Sequence, residues 1–216
     1  GIPLTWAARE AADAEAGRPR WSVADGSVPL VIAGGTTLTS NPEPYADFLD
    51  AVLLGDGEDV LPAVASTIAR CLASPTPLSR EDVLLRLAAV PGVYVPRFYE
   101  VYTSTGAVRA VRGDVPRRPS RQVATPQPRR ALALVPAMGT VHDRLVVEVR
   151  RGCTRGCRFC APGMLTRPAR DVPPADVAAA VRDGVAKTGY NEFSLLSLSC
   201  SDYLSLPAVG LGLKNE

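Results

Sequence analysis

Apolar residues along this chain come in short runs and in helical periods, both punctuated by glycine and proline. An Ala/Glu/Arg stretch from Trp6 to Ala16 suits a short helix that ends at Gly17. Val28-Pro29-Leu30-Val31-Ile32-Ala33 is a continuous apolar run closed by Gly34-Gly35. Ala51-Val52-Leu53-Leu54 repeats the pattern before Gly55-Asp56-Gly57-Glu58. Runs of this kind fit strands buried on both faces, as in a parallel sheet. A helix is expected near Asp59 to Leu72, because Val60, Leu61, Val64, Ile68 and Leu72 share one face. Strand, glycine turn and helix make the rhythm of an open α/β sheet.

A second helix is expected from Ser79 to Ala89, with Ser79 as N-cap, Asp82 at the third helical position and Pro91-Gly92 beyond its end. Arg97 to Thr103 and Ala107 to Arg112 alternate around Ser104-Thr105-Gly106, which predicts a hairpin. Gly113 to Arg130 is rich in Pro and Arg and poor in apolar residues, so it reads as an extended, surface-lying linker. Beyond it, Leu145 to Val149 predicts a strand, Pro173-Pro174 a helix start with its body over Ala175 to Lys187, and Phe193 to Leu198 a further strand. This second unit is strand, loop, helix, strand, at the spacing of a βα barrel. The fold class expected is α/β.

Composition narrows the function classes. With 46% hydrophobic residues among 216, the chain can bury a core and is not a disordered segment. No apolar run approaches the roughly 18–20 residues of a membrane span, and no secretory signal opens the chain, so a cytoplasmic location is expected. A net charge of +2 gives no bulk argument for nucleic acid. Arg117-Arg118 and Arg129-Arg130 hint at RNA, but interleaved prolines and the lack of an aromatic platform favour a solvated linker. The chain opens at Gly1 without Met and stops at Glu216 soon after a strand-like run, which reads as a piece of a longer protein. A piece holding two strands of a barrel is expected to be inactive or weakly active, because it cannot exclude water from a reactive intermediate.

The strongest chemical signal is Cys153-Thr154-Arg155-Gly156-Cys157-Arg158-Phe159-Cys160, three of the five cysteines within eight residues. Three thiolates on one compact loop can grip three corners of a cubane iron–sulfur cluster. Gly152 and Gly156 let the backbone turn and bring N–H groups to the sulfurs. Ordinary electron carriers use four Cys ligands, and here Cys71 and Cys200 lie outside the loop. A missing fourth ligand leaves one iron open to a substrate or cofactor. The rival reading is a structural zinc site closed by His142 or Cys200, in a zinc-stabilised binding module, with RNA as one partner. Zinc sites usually pair ligands from two separate loops, which this spacing does not.

Cys-x3-Cys-x2-Cys with an aromatic before its last Cys resembles the signature of the radical SAM superfamily. The likeness extends to Val141-His142-Asp143-Arg144, Glu148, Arg151-Gly152, Thr188-Gly189-Tyr190 and Ser194 to Ser199. It also takes in Ile32-Ala33-Gly34-Gly35, Asn41-Pro42-Glu43-Pro44 and Gly55-Asp56-Gly57-Glu58. The longer pattern is similar to members that carry a cobalamin-binding-like domain before the barrel. The resemblance implies a 4Fe–4S cluster on Cys153, Cys157 and Cys160, with Phe159 and Asp202 as cofactor-binding residues. Its open iron would be chelated by S-adenosylmethionine, which one electron from a flavodoxin- or ferredoxin-type donor would cleave to a 5′-deoxyadenosyl radical acting on an unknown substrate. It also implies a partial Rossmann-like, cobalamin-binding-like domain over 1–75, a helix, hairpin and linker over 76–143, and the opening of a radical SAM partial barrel over 144–216.

Other residues weigh less. Cobalamin stays open but below plain turn chemistry, because the Asp-x-His-x-x-Gly segment that ligates cobalt in such domains is absent. His142 beside Asp143 reads first as a structural hydrogen-bond pair. Glu58 is explained by the dipole of the helix it opens, and Cys71 by burial on an apolar helix face. Asp202 matches an acidic position of the family, while Cys200 and Ser201 depart from the pattern there.

Overall fold

Thr5 starts the first helix, α1 (Trp6–Glu15), by accepting the Ala8 N–H on its hydroxyl at 3.2 Å, and Gly17 follows it in the left-handed region at φ 68°. The computed structural model describes residues 4–17, 28–102, 105, 107–111, 114–131, 135–139 and 141–214. They fall into two units, Gly1–Ala124 and Thr125–Glu216. Both mix helices with small sheets, so the α/β expectation is met at that level. Among the described residues no helix is long and apolar enough to cross a membrane.

In the first unit α1 is followed by β1 (Ile32–Gly34), α2 (Thr36–Ser40), a 3-10 turn over Glu43–Phe48 and β2 (Ala51–Leu53). Then come α3 (Gly57–Leu72), α4 (Arg80–Ala88), β3 (Val93–Tyr94) and a hairpin of β4 (Tyr99–Tyr102) and β5 (Ala107–Ala110). β2 lies centrally, parallel to β1 with Ala33 opposite Val52, and antiparallel to β3 with Leu53 opposite Val93. That order corrects one expectation. Of the two apolar runs the second, β2, is buried throughout, whereas the first narrows to a half-buried edge strand at its carboxyl end. The hairpin is antiparallel from Tyr99↔Ala110 to Tyr102↔Ala107; its expected turn lies, apart from Thr105, outside the described residues.

α3 buries Val60, Val64, Thr67 and Cys71. Leu61 and Leu72, expected on that face, are exposed, because the buried stripe runs one position round the helix from them. Cys71 sits in the core as a small apolar group. α4 opens with the expected cap: Ser79 Oγ accepts the Asp82 N–H at 3.0 Å, and the Asp82 carboxylate accepts the Ser79 N–H at 3.0 Å.

Charge also enters this unit's interior, which the hydrophobic pattern did not foretell. Arg9 is buried against Asp50, Nε to Oδ2 at 3.1 Å, and also donates to the Leu4 and Phe48 carbonyls. Arg80 reaches Asp13 at 2.8 Å, Asp50 at 3.5 Å and the Val28 carbonyl. Asp13 and Asp50 in turn accept the Val28 and Val31 N–H groups at 2.8 Å each. Two cations and two carboxylates thus bond α1, the approach to β1, the start of β2 and the start of α4.

The second unit begins with a short 3-10 turn, Pro128–Ala131. β6 (Leu145–Glu148), β7 (Arg150–Arg151), α5 (Ala161–Leu165), β8 (Arg170–Asp171), α6 (Pro174–Thr188), β9 (Phe193–Leu196) and α7 (Leu206–Leu213) follow. β6 and β9 pair in parallel from Leu145↔Phe193 to Glu148↔Leu196, with α6 in the connection, so the expected strand, loop, helix, strand unit is present. α6 lies close on β6 at Gly184, where a Cβ would stand 2.5 Å from Leu145 Cδ2. Gly189, left-handed at φ 74°, ends the helix. Arg129 is exposed, as expected of a solvated residue, and also donates to Asp183 of α6 at 2.8 and 2.5 Å.

Candidate metal centre

β6 runs into the cysteine segment through two left-handed glycines, Gly152 at φ 83° and Gly156 at φ 70°. A side chain at Gly152 would collide with the Thr166 and Pro168 carbonyl oxygens, each 2.6 Å from its Cβ, so the loop lies directly on the chain leading to β8. Between these glycines Cys153 is half-buried; Cys157 is exposed and Cys160 half-buried, and all three are free thiols. The Arg155 N–H points at Cys153 Sγ at 3.4 Å, and the Cys160 N–H closes a turn onto the Cys157 carbonyl at 3.1 Å. Gly163 of α5 is buried beside two of the cysteines: a Cβ there would lie 3.2 Å from Cys160 Sγ and 4.0 Å from Cys153 Cβ. The backbone therefore turns both of these residues toward one small place.

From Val149 to Arg170 there are six arginines and no carboxylate. The balancing acids come from outside the segment. Glu148, at the end of β6, takes Arg151 through two bonds at 2.9 and 2.7 Å. Asp171 in β8 stands 3.2 Å from Arg150 Nε. Asp202, in the 3-10 turn Cys200–Asp202 that follows β9, takes Arg155 through Nε at 2.9 Å and a terminal nitrogen at 2.5 Å. Arg150 also donates to the Asp202 carbonyl. The Arg155 bonds, followed by a Ser199 hydrogen bond, hold the Asp202 carboxyl down at about 2, and the same pairing raises Arg155 above its ordinary value. Tyr203 anchors the turn from beneath, its buried hydroxyl donating to the Val172 carbonyl at 2.7 Å.

The remaining named residues are dispersed. Phe159 stands 92% exposed at the tip of the loop. The Cys200 thiol lies 3.4 Å from the Leu195 carbonyl and donates to it. His142 is exposed, with its carbonyl closing a turn to the Arg144 N–H. Among the described residues no three His, Cys, Asp or Glu side chains converge where one metal ion could sit. A cubane makes a different demand, because each thiolate takes its own iron corner rather than a shared centre. The three free thiols, the N–H aimed at Cys153, the paired glycine turns and the surrounding arginines suit that polyanionic group. Sequence reasoning named the cysteines, Phe159 and Asp202, but missed the Arg155–Asp202 bridge. No local signal names that pair, since Glu148 and Asp171 stand at the edges of the arginine-rich segment and Asp202 lies 47 residues from Arg155.

Cobalamin fares worse. Gly55-Asp56-Gly57-Glu58 does lie at the carboxyl end of β2, yet the Gly55 turn is filled by the backbone of Gln122, whose oxygen would be 2.1 Å from a Cβ there. No histidine lies in the first unit.

Residues 1–96 match the family model described as radical SAM proteins, N-terminal. No curated protein and no solved structure matches the chain. The matched residues lie wholly in the first unit, and the cysteine loop lies outside them in the second. The match supports a radical SAM superfamily protein.

Proposed function

We propose that the chain carries the cluster-binding part of a radical SAM enzyme. The observation behind this reading is the Cys153, Cys157 and Cys160 loop with the Arg155 N–H on Cys153, on a chain whose first 96 residues match the radical SAM N-terminal model. Cys153, Cys157 and Cys160 hold a 4Fe–4S cluster, and the nearby arginines offset its thiolate charge. When bound, the cluster and S-adenosylmethionine supply one-electron cleavage of the sulfonium bond, giving a 5′-deoxyadenosyl radical for a substrate of unknown class. Asp202 accepts the amino group of S-adenosylmethionine. A carboxylate offers about four lone-pair sites, so it can do this while Arg155 keeps its two bonds. Phe159, at the loop tip, packs against the cofactor, and an acidic flavodoxin- or ferredoxin-type donor supplies the electron. In this reading 1–75 is a cobalamin-binding-like, partly Rossmann-like domain, 76–143 a connecting region and 144–216 the start of the radical SAM barrel.

Anaerobic reconstitution with iron and sulfide tests the reading. The protein should turn brown with one 4Fe–4S cluster, lose it when any of Cys153, Cys157 or Cys160 becomes Ala, and keep it in Cys71→Ala. With dithionite and S-adenosylmethionine it should release 5′-deoxyadenosine only weakly. A colourless zinc protein, or equal iron loss from Cys71→Ala, would overturn the assignment.

A further inference from the structure

Open α/β sheets keep their ligands at the carboxyl ends of the strands, and in the first unit that end of β2 is already taken. The Gln122 N–H donates to the Leu54 carbonyl at 2.9 Å, and the Asp56 N–H donates to the Gln122 carbonyl at 3.0 Å, a parallel bridge between Gly55 and Gln122. Asp56 sits at the N-cap of α3, yet its side chain makes no cap bond to the helix. Its Oδ2 instead accepts the Ala124 N–H at 2.9 Å. Two glycines from different loops make room for the same residue. A Cβ on Gly55, at φ 96°, would stand 2.1 Å from Gln122 O, and one on Gly92, at φ 90°, would stand 2.4 Å from Gln122 Cγ. Ala124 is buried.

We propose that the carboxyl end of β2 is a peptide-binding site that the chain fills with its own residues 120–124, a strap that shuts any cofactor out of this place. Recognition runs through main-chain groups and one carboxylate aimed at a peptide N–H, so the fitting ligand is an extended peptide rather than a phosphate or a corrin. The strap is suited to the task. Pro116, Pro119, Pro126 and Pro128 flank it, whereas 120–125 holds none, so the Gln122 and Ala124 N–H donors that bond the first unit are kept. Proline on both sides also favours extended chain and lowers the entropy lost on docking. The glycine turns that resemble a cofactor loop thus serve close approach of backbone to backbone.

Trypsin tests this on the intact protein. The Arg121–Gln122 bond lies inside the strap, while Arg117–Arg118 lies outside it on exposed chain and serves as the internal reference. In the wild type, cleavage after Arg121 should be slower than after Arg117 by about tenfold or more, the scale expected when cutting waits for local opening. The Gln122 and Ala124 amides should show matching protection from hydrogen exchange. Asp56→Ala, with its fold checked by circular dichroism, should bring the two cleavage rates together, and Gly55→Ala should do so more fully. Hydroxocobalamin added to the wild type should leave its absorption spectrum unshifted. Equal cleavage at both arginines in the wild type, unprotected Gln122 and Ala124 amides, or undiminished resistance in a folded Asp56→Ala would overturn the strap. Hydroxocobalamin binding with the strap still protected would overturn the exclusion.

Discussion

Asp202 is gripped through its carboxylate by Arg155 and through its carbonyl by Arg150, so one residue after β9 is tied to both ends of the turn that begins the cysteine loop. The bidentate geometry makes Arg155 a poor candidate for replacement by Lys, which cannot present two parallel donors. Because its folded pKa is lowered, Asp202 stabilises the pair above the ordinary carboxylate pKa, and that contribution fades as pH falls through about 2. Carboxyl chemical shifts should therefore show Asp202 titrating near 2 in the wild type and returning toward about 3.9 in Arg155→Ala. In reconstituted protein, Asp202→Ala should weaken S-adenosylmethionine binding, followed by EPR titration, with iron content unchanged; superimposable titrations would remove Asp202 from the cofactor site.

Among the elements, α4 gives the clearest energetic test because its cap is reciprocal. Ser79→Ala should cost about 0.5–2 kcal/mol in a denaturant melt. The Asp82 carboxyl lies below its ordinary range, first through the Ser79 side-chain bond and then through the Ser79 backbone N–H. Its share of stability is therefore present above the usual carboxylate pKa and disappears as pH falls through the lowered value, an effect that Asp82→Asn should abolish. This box was legible in the sequence because a cap depends on residues three positions apart. So were α3, α6, β2, β6 and β9, whose periods or apolar runs are local. β3, of two residues, and β7 and β8, likewise two each, were not legible, because such strands exist only through their partners. The apolar residues of α7, Leu206 to Leu213, show no dominant face, and the pattern gave no helix there. The three cysteines could be read directly, whereas the carboxylate that meets Arg155 lies 47 residues away and only the fold names it.

Over the whole of the first unit, stability passes through the buried charges. Asp50→Ala would leave Arg9, Arg80 and the Val31 N–H facing a vacant place. Removing one partner of a buried ion pair costs about 3–5 kcal/mol, so urea melts should show a loss of that size. A loss below about 1 kcal/mol would mean that water reaches the pair. The same network bears on how the chain is made. Its bonds join residues 41, 67 and 30 positions apart, and Arg80 is the last member to be synthesised. Before Arg80 leaves the ribosome, Arg9 is one cation against two carboxylates, and closing the interior would bury an unmatched negative charge. Closing α1 onto β2 in a chain without Arg80 would therefore leave one carboxylate of the interior unmatched, so the charge balance of this unit rests on a single arginine supplied by α4.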